Sequence, residues 1–317
     1  MPINGSHIIS IPSKEIYSMF ESLPIFASVI STCSRAGLNV VDRKQFQRVG
    51  LCPLEIGYWN NLLPIILIAP FVILTPALDF LRKDILSFEA ILLAVLIQLS
   101  AYSYGYCFKK LRVTDLAVLS KSADISVPLI LAISGLYPVP IYFFLLLPAT
   151  LYIFVLCAGI NAVKYSYQSS IFLILALTIQ GIYLYFLGIY SELDKNIWTL
   201  ISLSFSVLIW RFIFSGFVLI YRKRVFFTFI VPENTFSCGT FYLRGFLTAL
   251  TQVAYILSIS SDQLLIVWPI LNATGFVGAV FAHLFLGEKL SGRDFTFISF
   301  AFFITLLVVV SLNYEKP

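Results

Sequence analysis

The sequence predicts an all-α membrane protein, ten transmembrane helices arranged as two inverted five-helix repeats. Three observations carry the prediction. Of the 317 residues, 59% are hydrophobic and 12% charged, with a mean hydropathy of +0.93, whereas a soluble domain carries about 25% charge. Windows of the roughly 20 apolar residues that a helix needs to cross the hydrocarbon core recur ten times, with nothing between them long enough for a soluble domain. Two pairs of windows half a chain apart also match one another.

In chain order the spans fall at 20–41, 57–78, 87–108, 114–134, 139–158, 168–189, 197–220, 237–259, 262–286 and 295–312. The first has the weakest apolar signal, because "SVISTCSRAGLN" is rich in hydroxyls and includes Arg35. The fourth contains Lys121 and Asp124 three residues apart in "LAVLSKSADISVPLILAIS". Short polar punctuations such as "LRKD", "GLYPVP", "SELDKN" and "YRKR" separate the spans. The amino-terminal "MPINGSHIISIPSKEIYSMFESLP" is mixed and polar, so no cleaved leader is expected.

The repeat is read from alignment of the halves. "IGYWNNLLPIILIAPFVIL" against "VLIWRFIFSGFVLIYRK" places Trp59 with Trp210 and Asn60 with Arg211. "VTDLAVLSK" against "SSDQLLIVW" places Asp115 with Asp262 and Lys121 with Trp268. The chain divides on this reading into residues 1–158 and 159–317. Five spans per copy is an odd number, so the second copy enters the bilayer from the other side. Two such halves can rock about a midplane site and expose it alternately to each face.

Lys and Arg beside the spans bear on orientation. Twelve follow odd-numbered spans, Arg43, Lys44, Arg112 and Lys289 among them, against five on the opposite side. That count places both termini away from the cytoplasm. Arg35, Lys121, Arg211 and Arg244 fall within spans.

Several functions are disfavoured. Cys33, Cys52, Cys107, Cys157 and Cys238 form no CxxC or Cys/His cluster and read as small buried hydrophobes. With only His7 and His283 in the chain, neither a zinc centre nor a histidine triad is expected, and no metal or other cofactor is. The absence of GxxxxGK[ST] argues against direct ATP use. A net charge of +5 says little about nucleic acid, which is not an expected partner.

The run "DQLLIVWPILNATGFVGAVFAHLFLGEKLSGRDFTFISFAFFITLLVVVSL" resembles the last two helices of the EamA-like branch of the drug/metabolite transporter superfamily, with Gly287 and Glu288 at its Gly-Glu corner. "GLCPLEIGYWNNLLPIILIAPF" is similar to that family's approach to its second helix, although Trp59 or Asn60 stands where the family often has Arg. The resemblance implies ten helices in two halves and transport activity, and it identifies no substrate. Two departures stand: "ISGLYPVP" replaces the first-half corner, and family members commonly place both termini in the cytoplasm, against the charge count.

An ionised side chain at the centre of a membrane helix costs about 2.5–3.5 kcal/mol on insertion scales, so such groups face a cavity or a partner. Lys121 and Asp124 share a helix face at i, i+3, and pairing with each other competes with lining a chamber. Trp268 and Asn272 lie at matching depth in the repeat mate, where Pro269 answers Pro128 as a helix-bending residue. Arg211 lies near mid-span, while Arg35 and Arg244 are close enough to their span ends to snorkel. Four interior cations face one deep acid, Asp124, which suits an anionic solute. Tyr102 and Tyr106 share a face, with Tyr255 at a comparable place in span 8. The candidate substrate-binding residues are therefore Arg35, Trp59, Asn60, Tyr102, Tyr106, Lys121, Asp124, Arg211, Arg244, Tyr255, Trp268 and Asn272. Glu288 reads as a corner residue, His283 as a packing residue, and Gly275 and Gly278 as points of close helix approach.

The function expected is a secondary-active or facilitative carrier of a small polar metabolite, anionic or zwitterionic, working by alternating access. It would be a multi-pass protein of the bacterial cytoplasmic membrane, monomer or homodimer, with the bilayer and a small molecule as partners. The alternatives are a membrane enzyme acting on lipid-linked substrates, for which no HExxH, DxD or clustered acids are found, and a non-transporting scaffold.

Overall fold

The structure is a computed structural model that describes residues 13–47, 52–120, 122–135, 160–190, 196–223, 239–259, 267, 270–271, 273–292, 294–296, 298–300 and 302–303. These are helical, with no strand among them. The helices are α1 (Ser13–Phe46), α2 (Pro53–Ile73), α3 (Ala77–Ile85), α4 (Phe88–Phe108), α5 (Val113–Ser120), α6 (Ser122–Ile133), α7 (Ile160–Tyr190), α8 (Ile197–Lys223), α9 (Gly239–Ile259) and α10 (Thr274–Leu286). Of these, α2, α4 and residues 197–222 of α8 are long and apolar enough to cross a membrane. The described residues are those of an all-α membrane protein.

Three of the termini have a clear local cause. Helix α2 starts at Pro53, where the missing N–H would have lacked a partner anyway, after an extended Cys52 (φ −90°, ψ 129°). Ser87 caps α4, its hydroxyl accepting from the Ala90 N–H at 3.1 Å. Helix α10 stops at Gly287, whose φ of 65° suits a residue without Cβ.

Three features differ from the spans expected. The first predicted span ends at 41, but α1 continues to Phe46, because Asp42 and Arg43 in its last turns find charged partners rather than terminating the helix. The "LRKD" punctuation belongs to α3, a short helix that exposes Arg82 and Lys83 and buries Ala77 and Asp84. The fourth span comprises α5 and α6, with Lys121 between them outside the described residues. Span 139–158 also lies outside them, as do the opening of the ninth and most of the tenth.

The packing pairs are specific. Helix α1 lies against α9 and α10, α2 against α8 and α9, α4 against α7 and α8, α5 against α10, and α6 against α7. Membrane helices gain little from hydrophobic burial against one another, so close backbone approach matters more. Gly275 sets its Cα where a Cβ would meet the Ala117 Cβ at 3.3 Å, and Gly278 faces Asn39 and Val113. Gly275 thus acts as the sequence suggests, letting α10 close on α5, whereas a Cβ at Gly278 would make only ordinary contacts. Gly245 on α9 similarly leaves room for Leu63 of α2.

Candidate functional site

Polar side chains on α1, α2, α4, α8 and α9 meet inside the bundle. Their spacing is helical: Gln98 and Tyr102 at i, i+4, Arg211 and Ser215 at i, i+4, and Arg244, Thr248 and Gln252 at successive fours, so each set forms one face. Gln98 is the hub. Its Oε1 accepts from Asn61 Nδ2 at 2.9 Å and from Arg211 Nε at 3.3 Å. Asn61 Nδ2 also reaches Ser215 Oγ at 3.3 Å and the Arg211 carbonyl at 3.4 Å. Gly57, one turn before Asn61, has no side chain to push Tyr102 aside: a Cβ there would stand 2.9 Å from the Tyr102 ring. The Tyr102 hydroxyl is buried beside the side chains of Gln98 and Ser215.

A second layer lies toward the end of α1. Asn60 Nδ2 donates to Gln45 Oε1 at 3.0 Å, leaving Asn60 Oδ1 unpartnered. Arg244 grips Asp42 with two bonds, Nε to Oδ1 at 2.5 Å and Nη2 to Oδ2 at 3.3 Å, and its Nη1 meets Thr248 Oγ1 at 3.3 Å. Gln252 Nε2 and Thr251 Oγ1 are buried and unpartnered on the same helix.

The expected site residues sort as follows. Arg211 is buried at 5% exposure. Among the described residues it makes no ion pair, although the charges of Arg244, Asp42 and Arg35 reach it. Arg35 is half-buried on α1 and its charge reaches Tyr255. Asn60 and Tyr102 join the site. Trp59 instead packs edge-on against Tyr58 with ring centroids 5.2 Å apart, and Tyr106 lies a turn beyond Tyr102 near Cys52 and Arg222. Arg244 is not a snorkelling cation, because Asp42 compensates it. Asp124 is therefore not the only deep acid: the helix extends beyond the expected span end and carries Asp42 into the bundle. Lys121, Trp268, Asn272 and the side chain of Asp124 lie outside the described residues.

Asn61, Gln98, Gln45, Asp42, Ser215 and Thr248 complete the site without having been singled out in the sequence. The i, i+4 spacing of Gln98 with Tyr102 and of Arg244 with Thr248 was the available signal.

At the end of the bundle where α1 finishes, Glu288 is aimed by the corner after α10. Its Oε2 accepts from the Val113 N–H at the start of α5, at 3.1 Å, and its Oε1 stands 3.4 Å from Arg43 Nε. It thus fixes the corner, as the sequence suggests, and also joins it to α1 and α5. Burial pushes the Glu288 carboxyl up from its usual range, against the opposing charge of Arg43. The Asp115 carboxylate holds the Arg112 guanidinium above its usual value by hydrogen bonding, more than offsetting burial, with Asp294 adding to it. His283 Nδ1 lies 2.9 Å from the Glu288 carbonyl on an exposed face. No cluster of three His, Cys, Asp or Glu side chains occurs among the described residues.

No protein-family model matches the chain, and no curated protein matches it significantly. The site therefore rests on its own geometry.

Proposed function

We propose that the chain is a secondary-active or facilitative transporter of a small polar metabolite, anionic or zwitterionic, with its binding chamber around Arg211, Gln98, Asn61 and Tyr102. The observation that carries this is Arg211: a guanidinium buried midway along an apolar, membrane-length helix, held by one neutral amide and by no carboxylate among the described residues. A cation in that position is costly unless something anionic visits it. Planar Arg donors suit a carboxylate or phosphate.

Alternating access by two inverted five-helix repeats is part of the same proposal. Helix pairing supports it: if α1, α2, α4 and α5–α6 correspond to α7, α8, α9 and α10, most observed pairs have counterparts. The α1–α9 pair answers α7–α4, α1–α10 answers α7–α6, and α4–α8 answers α9–α2, while α2–α8 and α5–α10 lie across the axis relating the halves. The EamA-like resemblance and a bacterial cytoplasmic membrane fit this reading.

The test is a thermal-shift screen of purified protein against amino acids, organic acids, nucleotides and sugar phosphates, followed by uptake of the hits into proteoliposomes. A ligand that binds the fold raises its apparent stability by mass action. The proposal requires that at least one anion or zwitterion stabilises the parent chain and is taken up, and that Arg211→Gln abolishes both. Stabilisation by cations alone would overturn it.

A further inference from the structure

Among the described residues three ion pairs join the two proposed halves, and these lie toward one end of the bundle. Asp42 of α1 holds Arg244 of α9 at 2.5 Å. The next residue, Arg43, pairs at 3.4 Å with Glu288 after α10 and also donates to the Phe108 carbonyl at the end of α4. Arg112, just before α5, reaches Asp294 at 3.4 Å and the Lys289 carbonyl at 3.5 Å, while Asp115 orients it from the same side at 3.1 Å. In each pair one partner precedes residue 158 and the other follows residue 159.

Two of the three pairs, Arg43–Glu288 and Arg112–Asp294, are set apart from the chamber at the helix ends, while Asp42–Arg244 lies between, where both charges reach Arg211. Gln98 lies ten residues from the end of α4 and Arg211 twelve from the end of α8, which at 1.5 Å rise per residue is about 15–18 Å along the helix axes. Helix ends here are held by charge, whereas toward their opposite ends α2 and α8 meet through Ile68, Val72, Ile201, Phe205 and Leu208.

Ionic contacts suit surfaces that must part. When the layer is closed, Coulomb attraction is offset by desolvation of both partners. When it opens, each charge regains water. The two forms are then close in free energy, as a reversible gate requires. An apolar seam would instead expose its full area on opening.

We propose that Asp42–Arg244, Arg43–Glu288 and Arg112–Asp294 form a latch between the halves that closes the chamber on the face where α1 ends. The proposal rests on the transporter reading for its purpose, but its geometry is tested without any solute. A Ser215→Cys reporter is placed in the chamber and the full chain is reconstituted in proteoliposomes. A membrane-impermeant thiol reagent is added from one face at a time, and the parent chain, with its five native cysteines, serves as the blank.

The latch predicts slow labelling of the reporter thiol from its own face. Glu288→Gln with Asp294→Asn should speed it about tenfold, as expected when charge-assisted pairing no longer favours the closed form, with labelling from the other face not increased. Asp294→Asn alone, which removes the most exposed of the three acids, should move the rate in the same direction and covers the case in which the double variant fails to fold. Unchanged labelling from the latch face, with a lowered unfolding temperature, would overturn the proposal and leave the pairs as structural staples. If the variants open the chamber but no solute is taken up, the transporter reading fails while the latch stands. If solute is taken up but labelling does not change, the latch alone fails.

Discussion

Arg211 and Arg244 should respond in opposite ways to the same substitution. Arg211→Met removes a buried cation without an ion-pair partner among the described residues. Relief of an intramembrane charge is worth about 2.5–3.5 kcal/mol, against about 1.5–3 kcal/mol for the lost hydrogen bond from the charged group to Gln98. The variant should therefore lie between neutral and about 2 kcal/mol more stable than the parent. Arg244→Met instead leaves Asp42 buried without its two bonds, and stripping one partner from such a pair costs about 3–5 kcal/mol. Both substitutions keep a long flexible side chain, so packing loss is similar. The assay is the unfolding midpoint of purified protein in detergent, read by intrinsic fluorescence, alongside uptake. Both variants should lose anion uptake, but only Arg244→Met should lose stability. If Arg211→Met destabilised as strongly as Arg244→Met, Arg211 would be a structural residue and the functional argument built on it would fail.

Other outcomes follow from single sites. Burial raises the Asp84 carboxyl above its usual value, only partly offset by Ser202 and Lys83, so the protonated form is favoured in the fold and stability should fall as pH rises from 3.8 through the folded value. Asp84→Asn should remove that fall and be more stable than the parent at neutral pH, as a pH series of melting temperatures would show. Asp294 behaves oppositely: burial would raise it, but the Ser291 hydroxyl and N–H and the Arg112 charge hold it low, so its contribution is present above 3.8 and lost as pH falls through the folded value. Asp294→Asn should blunt acid destabilisation in the same series. Gly245→Ala would put a methyl group 2.6 Å from Leu63 Cγ, and overpacking of this kind costs about 1–3 kcal/mol, measurable as a lower unfolding midpoint.

The membrane class, the three helices long enough to span a bilayer and the close approach at Gly275 could be read along the chain, because each depends on residues near one another in sequence. Helix α3 could not. Its nine residues are too few for a span-length window, and its charged face looked like a connecting loop. The end of α1 was misplaced because a run of charges normally closes an apolar window, whereas Asp42 and Arg43 are matched by Arg244 and Glu288 some two hundred residues away. Asn61 and Gln98 went unmarked since neutral amides cost less than charges and stand out less. Their importance comes from meeting Arg211 across three helices, a juxtaposition no local pattern encodes.

Many buried hydroxyls are satisfied within their own helix, although others, such as Ser100 on Gln180 and Thr32 on the Ile270 carbonyl, reach across. Ser28, Ser103, Thr178, Ser204 and Ser206 each donate to a carbonyl three or four residues earlier on their own helix. Hydroxyls can satisfy themselves in this way within an apolar helix, so the many hydroxyls of α1 are not by themselves a sign of function. The chamber's amides and guanidinium act differently, reaching across to partners on neighbouring helices. Their setting sharpens the contrast: α2, α4 and α8, the three helices among the described residues that are apolar and long enough to cross a membrane, carry Asn61, Gln98 and Arg211. All three residues are several turns from either helix end, too far inside to reach the interface by snorkelling. Packing alone could be met there by Leu, Ile or Ala at no desolvation cost. Three polar groups meeting in membrane-length apolar helices are the observation on which the proposed binding chamber rests.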